Sequence, residues 1–98
     1  METTTQTGDV SIINVPDKLD VTESALFKQN LDEVISSSEK IELDFTKTII
    51  VSSAGIRILL QAEKSTQKAN KSMTLKNVSP GVMEIFEITG VDKIFTIT

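Results

Sequence analysis

A run of β-branched residues, Ile49-Ile50-Val51, stops abruptly at Ser52-Ser53. Beyond Ala54-Gly55 the chain continues Ile56-Arg57-Ile58-Leu59-Leu60, an apolar pattern suited to a helix. The stretch reads as a buried strand that turns directly into a helix, with a serine hydroxyl at the helix N-terminus. The free N–H groups and positive dipole end at such a junction favour a phosphate there.

The rest of the chain repeats this alternation. Val10 to Val15 reads as a strand ended by Pro16-Asp17. Residues 1–7 are polar and threonine-rich, a tail or an edge strand, with Gly8-Asp9 as a turn. Asp20-Val21-Thr22-Glu23 has the spacing of a capping box, with Thr22 as a competing cap. Phe27, Leu31, Val34 and Ile35 fall on one helical face, and Ser36-Ser37-Ser38 is expected to end that helix as a loop. Ile41, Leu43 and Phe45 alternate with Glu42 and Asp44, which predicts a strand with one buried face. Thr48 to Val51 is expected as a fully buried strand end. The next helix spans about Ala54 to Ala69, with an apolar first half, a polar second half that leaves the core, and Asn70 in the left-handed position.

Met73 to Lys76 is a short strand. Ser79-Pro80 caps a last helix that buries Val82, Ile85, Phe86 and Ile88 and closes at Gly90. Ile94 to Ile97 is a terminal strand or a docked extended segment. Alternating strands and helices place the chain in the α/β class: a mixed sheet of four to five strands with helices packed against it. At 98 residues the chain is expected to form a single domain over residues 1–98.

Composition removes several functions. The chain has no cysteine and no histidine, so the thiol nucleophile, the usual general base and the commonest metal ligands are missing. No Gly-rich loop with a following lysine is present to cradle a nucleotide. Formal net charge is -4, with Lys and Arg scattered along the sequence, so no nucleic-acid footprint is visible. No apolar stretch approaches the roughly 20 residues that span a bilayer, and Met1 to Thr7 lacks the features of a signal peptide. The expectation is a cytoplasmic binding module: not an enzyme, without cofactor, metal, nucleic-acid partner or membrane insertion.

Two residues at the junction have competing readings. Ser53 is a helix N-cap, a role contributing about 1 kcal/mol, or a phosphoacceptor. Gly55 is tolerated at a loose helix end, or it admits the close approach of a partner backbone or phosphate. Ile56 belongs to the core or to an interface, and Asp44 is read as a solvated strand residue.

Leu43-Asp44-Phe45-Thr46 followed by Val51-Ser52-Ser53-Ala54-Gly55-Ile56 resembles the central motif of STAS domains, the bacterial anti-sigma factor antagonists and their relatives. Leu19-Asp20 before a helix, and Val78-Ser79-Pro80 through Ile88-Thr89-Gly90-Val91-Asp92-Lys93-Ile94-Phe95, resemble two further family segments. Ser52 stands where the family pattern has aspartate, and Asp17 where it has glycine; Ser52 itself reads as an N-cap, with modification as the alternative. The resemblance implies a STAS-type domain that binds an anti-sigma factor serine kinase when unphosphorylated, which releases the sigma factor. Phosphorylation at Ser53 would switch it off and a Ser/Thr phosphatase would reset it. Asp20, Ser52, Ser53, Ala54, Gly55 and Ile56 would then form the partner-binding region. The alternative is a non-switching STAS scaffold in a signalling assembly or a lipid-transporter complex.

Overall fold

The computed structural model describes residues 4–7 and 10–98. Its elements run β1 (Thr4–Thr7), β2 (Val10–Asn14), β3 (Lys18–Leu19), α1 (Val21–Ser37), β4 (Lys40–Asp44), β5 (Ile50–Val51), α2 (Ser53–Lys68), β6 (Ser72–Lys76), α3 (Pro80–Thr89) and β7 (Thr96–Ile97). A 3₁₀ turn, Val91–Lys93, precedes the last strand.

The main sheet has the order β1-β2-β4-β6-β7. β1 lies antiparallel to β2, with Thr4 opposite Ile13, while β2, β4, β6 and β7 are parallel neighbours. Parallel pairing follows from helical crossovers such as α1 and α2, since parallel neighbours need long connections. The sheet is mixed, as the α/β reading expects, and Thr4–Thr7 forms its edge strand. The expected Gly8-Asp9 turn lies outside the described residues.

Strands β2, β4 and β6 bury every second residue: Ser11 and Ile13, Ile41 and Leu43, Met73 and Leu75. All of these but Ser11 join Phe27, Leu31, Val34 and Ile35 of α1 and Ile56, Leu59 and Ala62 of α2 in one hydrophobic cluster. In the same cluster the Phe86 ring stands edge-on to two others, its centroid 6.1 Å from Phe45 and 5.6 Å from Phe95. Such pairs contribute about 0.5–1.5 kcal/mol beyond their buried area.

The helix ends largely follow local chemistry. Asp20, not Thr22, caps α1: its Oδ1 accepts from the N–H groups of Thr22 and Glu23. Ser79 caps α3 and Pro80 opens it, while Gly90 ends it at φ 79°. Asn70 takes the left-handed conformation at φ 57°.

Four expectations are corrected. Helix α1 continues through Ser36 and Ser37, whose hydroxyls donate to Glu33 O and Val34 O rather than opening a loop. Ile88 is 77% exposed, because it lies roughly opposite the buried Phe86 on the α3 wheel. Helix α2 does not leave the core at its midpoint, since Glu63 and Thr66 are both buried. Last, β5 is not a fully buried strand. It pairs with β3 in a separate two-stranded ladder, which leaves Ile49 63% and Ile50 47% exposed while Thr48 and Val51 point inward.

Candidate functional site

The two-stranded ladder sets the geometry of the Ser52-Ser53 junction. Lys18 pairs with Ile50 and Leu19 with Val51 in parallel register. Each strand then runs straight into a helix, so the N-termini of α1 and α2 emerge from the ends of neighbouring strands. Asp20 follows Leu19 and caps α1; Ser52 follows Val51 and caps α2. The ladder's next step thus sets Asp20 and Ser52 on adjoining strand ends.

Hydrogen bonds between the approach segments hold the ladder. The Thr48 hydroxyl donates to Pro16 O at 2.9 Å and to Val15 O at 3.3 Å. The N–H groups of Ile49 and Ile50 share Asp17 O, at 2.8 and 3.3 Å, and Ser52 N–H donates to Leu19 O at 3.0 Å. A carbonyl that accepts two donors is well satisfied, and every bond here except those from the Thr48 hydroxyl is backbone to backbone. The position of Ser52 therefore depends little on the side chains of Ile49 and Ile50.

The two serines do different work. Ser52 Oγ accepts from Gly55 N–H at 3.4 Å and donates to Leu19 O at 3.2 Å. It is the N-cap, a role that the sequence offered to both serines. Ser53 is the first residue of α2 and is exposed. With the cap already supplied, its hydroxyl faces solvent beside the free N–H groups of the first turn.

Gly55 is explained by its own chain. A Cβ built there would lie 2.5 Å from Leu19 O and 2.9 Å from Leu19 Cγ. The close approach that the glycine allows is α2 against β3, so neither a loose helix end nor an approaching partner accounts for it. Gly55 and Ile56 are buried, Asp20, Ser52 and Ala54 are half-buried, and Ser53 is exposed. The structure therefore gathers all six residues at one junction, but only four offer surface.

A second constellation was missed by reading Asp44 as solvated. Asp44 Oδ1 accepts from Thr46 N–H at 2.9 Å, from the Thr46 hydroxyl, and from Asn77 Nδ2 at 3.1 Å. Partial burial pushes this carboxyl up, but the bonds from Thr46 and Asn77 outweigh it and hold the group below its usual 3.8. Asp44 thereby ties the end of β4 to the turn after it and to Asn77 beyond β6, where φ is 58°. The Asp-x-Thr spacing was the available sequence signal; the long-range partner Asn77 left none.

Among the described residues no group of three or more acidic side chains is placed to hold a metal ion. A groove of about 250 Å³ flanks α1, lined in part by Asn14, Glu23, Leu26, Phe27 and Lys47. It falls below the roughly 300–1,000 Å³ of ordinary small-molecule sites. Among the described residues no helix is long and apolar enough to cross a membrane.

Comparison with known proteins agrees with this geometry. A family model described as STAS domain matches residues 2–98. BtrV of Bordetella bronchiseptica, provisionally described as an anti-sigma factor antagonist, is 31% identical over 65 residues. That match covers 66% of this chain and 56% of the relative, so the chain accounts for little more than half of that protein's length. A Thermotoga maritima structure provisionally described in the same terms, TM1081, superposes with TM-score 0.86 at 22% identity, covering 96% of this chain and 82% of its own. SpoIIAA in its unphosphorylated form gives 0.81 at 16% identity, covering 97% and 85%. The phosphorylated form of Bacillus SpoIIAA gives 0.75 at 16% identity, covering 97% and 88%. At these identities the structural matches establish the fold.

Proposed function

The chain belongs to the STAS domain family, and on that premise we propose that it is an anti-sigma factor antagonist whose partner binding is switched by phosphorylation of Ser53. It acts as a cytoplasmic binding module, one STAS domain over residues 1–98, rather than as an enzyme. Its partners are an anti-sigma factor serine kinase, bound by the unphosphorylated form, and a Ser/Thr phosphatase that removes the phosphate.

The observation that carries this reading is the division of labour between the two serines. A kinase needs a hydroxyl that is accessible and whose modification leaves the fold intact. Ser53 is exposed and makes no cap bond, whereas phosphorylation of Ser52 would displace its bonds to Leu19 O and Gly55 N–H. A phosphate on Ser53 would add about -1.5 to -2 charge at a helix N-terminus, where the dipole favours it. The domain would keep its shape, and its surface would change sign locally. SpoIIAA, which shares the fold, exists in both phosphorylated and unphosphorylated forms.

The size of the effect is sufficient for a switch. Two unit charges at 4 Å interact by about 4 kcal/mol at an effective dielectric of 20. Against an acidic partner surface that corresponds to a loss of affinity on the order of a thousandfold. The test is capture of the cognate kinase by wild type, by Ser53→Ala and by protein carrying phosphoserine at 53. Capture by the first two and loss by the third supports the reading; equal capture by all three refutes it and leaves a constitutive scaffold.

A further inference from the structure

The ten Lys and Arg residues are scattered in sequence, but α2 gathers three of them. At 100° per residue, Ser53, Arg57, Lys64 and Lys68 fall within about 60° of the helix circumference. All four are exposed, and the exposed positions beside them, Gln61, Ser65 and Gln67, are neutral. The one acid of α2, Glu63, is turned away from solvent at 8% exposure, and its Oε2 accepts from Gln67 Nε2 at 3.0 Å. On α1, which packs along α2, exposed Asp32 is paired with Lys28 at 2.7 Å, and Glu23 and Glu33 are the other exposed acids. Among the described residues, Arg57, Lys64 and Lys68 form no ion pair. A chain of net charge -4 thus carries one helix face whose exposed charges are all cationic, which begins at Ser53.

From this we infer that the Ser53–Arg57–Lys64–Lys68 face of α2 is a docking surface for an acidic patch on a protein partner, with Arg57 as the residue that senses phosphate at Ser53. The inference rests on Ser53 being the modified residue only for its last part. The stripe from Arg57 to Lys68 is roughly 16 Å long, at 1.5 Å per residue. An acidic patch of that size, at contact, lies within a Debye length (about 8 Å at physiological salt) of the stripe and feels the rest of the molecule weakly. An extended polyanion such as a nucleic acid or an anionic bilayer meets the whole net negative surface, so a protein partner is the better fit.

The same geometry gives the switch a direction. Residues four apart on a helix are neighbours, which brings Arg57 one turn above Ser53. A phosphoryl group there would draw the guanidinium into a charge-assisted, bidentate contact. The partner would then lose one cation and meet a new anion at the head of the stripe.

The test is titration of the isotopically labelled full chain, at low salt, with decaglutamate, with phosphatidylglycerol vesicles and with a single-stranded oligonucleotide of equal charge. Amide shifts should concentrate at Arg57, Gln61, Lys64 and Lys68 and fade as salt is added. Charge reversal at all three cations (Arg57→Glu, Lys64→Glu, Lys68→Glu) should weaken decaglutamate binding by about tenfold. The glutamine triple variant should lie between, and reversal of the exposed Lys40 and Lys93 should leave binding as in wild type. Phosphoserine installed at 53 should weaken it several-fold, an effect that Arg57→Gln reduces. Shifts on other surfaces, no binding of decaglutamate, or a triple reversal that binds like wild type would overturn the docking surface. Tighter binding of vesicles or oligonucleotide at the stripe would overturn the assignment to a protein partner. Because no kinase takes part, a kinase that ignores Ser53 would defeat the proposed switch without touching this result.

Discussion

The central strands β2, β4 and β6 and the small ladder of β3 and β5 are built from similar residues but held in different ways. In the central strands every second side chain enters the core, with Ile13, Leu43 and Leu75 fully buried. At the ladder, Ile49 and Ile50 are exposed, and position comes from two inward side chains, Leu19 and Val51, together with backbone bonds to Asp17 O and Leu19 O. An apolar β-branched run therefore does not by itself mean burial. A strand inside a covered sheet buries one face along its whole length, while each two-residue strand of the ladder buries a single side chain, Leu19 or Val51. The ladder places the Ser52-Ser53 junction without covering it, and a switch needs both.

Truncation is the sharpest way to break this comparison. Leu43→Ala should cost about 2–5 kcal/mol in chemical denaturation, the usual range for a fully buried leucine. Ile49→Ala should change stability by no more than about 0.5 kcal/mol, as exposed substitutions do. Similar losses at both positions would show that Ile49 is packed like a core residue.

Next in size is Gly55→Ala. Alanine ordinarily helps a helix by up to about 1 kcal/mol over glycine. Here the added carbon would meet the backbone oxygen of Leu19 at 2.5 Å, and overpacking of that kind costs about 1–3 kcal/mol. A net loss in thermal or urea unfolding supports tight seating of α2 on β3. A gain would mean that the contact relaxes freely.

The adjacent serines give a finer contrast. Ser52→Ala should destabilise by about 1 kcal/mol through the lost cap, and Ser53→Ala should stay within about 0.5 kcal/mol of wild type. Reversed sizes in denaturation would assign the cap to Ser53 and remove the argument for its availability.

Asp44 should give the smallest effect, and one that depends on pH. Its carboxyl is held below the usual 3.8, so its ionised form stabilises the fold above that value. The contribution disappears as pH falls through the lower folded-state value. The stability gap between wild type and Asp44→Ala should therefore be wider at neutral pH than in acid. A gap that is flat across this range would mean that the bonds from Thr46 and Asn77 do not favour the charged form.

What could be read from the sequence divides along the same line. The covered elements were legible because their pattern repeats: Ile41, Leu43 and Phe45 alternate, and Phe27, Leu31, Val34 and Ile35 keep helical spacing. Caps with a local chemical cause, Asp20, Ser79-Pro80 and Gly90, were legible for the same reason. The ladder was not, since two-residue strands have no period to detect. Nor could sequence show that Leu19 rather than a partner explains Gly55, or that Asn77 reaches Asp44, because these contacts span more than thirty positions. The candidate phosphoacceptor was visible as Ser53. What the fold adds is why it, and not its neighbour, has a free hydroxyl.

That division between Ser52 and Ser53 is tested most directly by mapping phosphate. The full chain is incubated with its cognate kinase and ATP, and the modified residue is located by fragmentation mass spectrometry. One phosphate on Ser53, absent from Ser53→Ala and retained in Ser52→Ala, is the expected result. Phosphate on Ser52 or elsewhere, or undiminished labelling of Ser53→Ala, would contradict it.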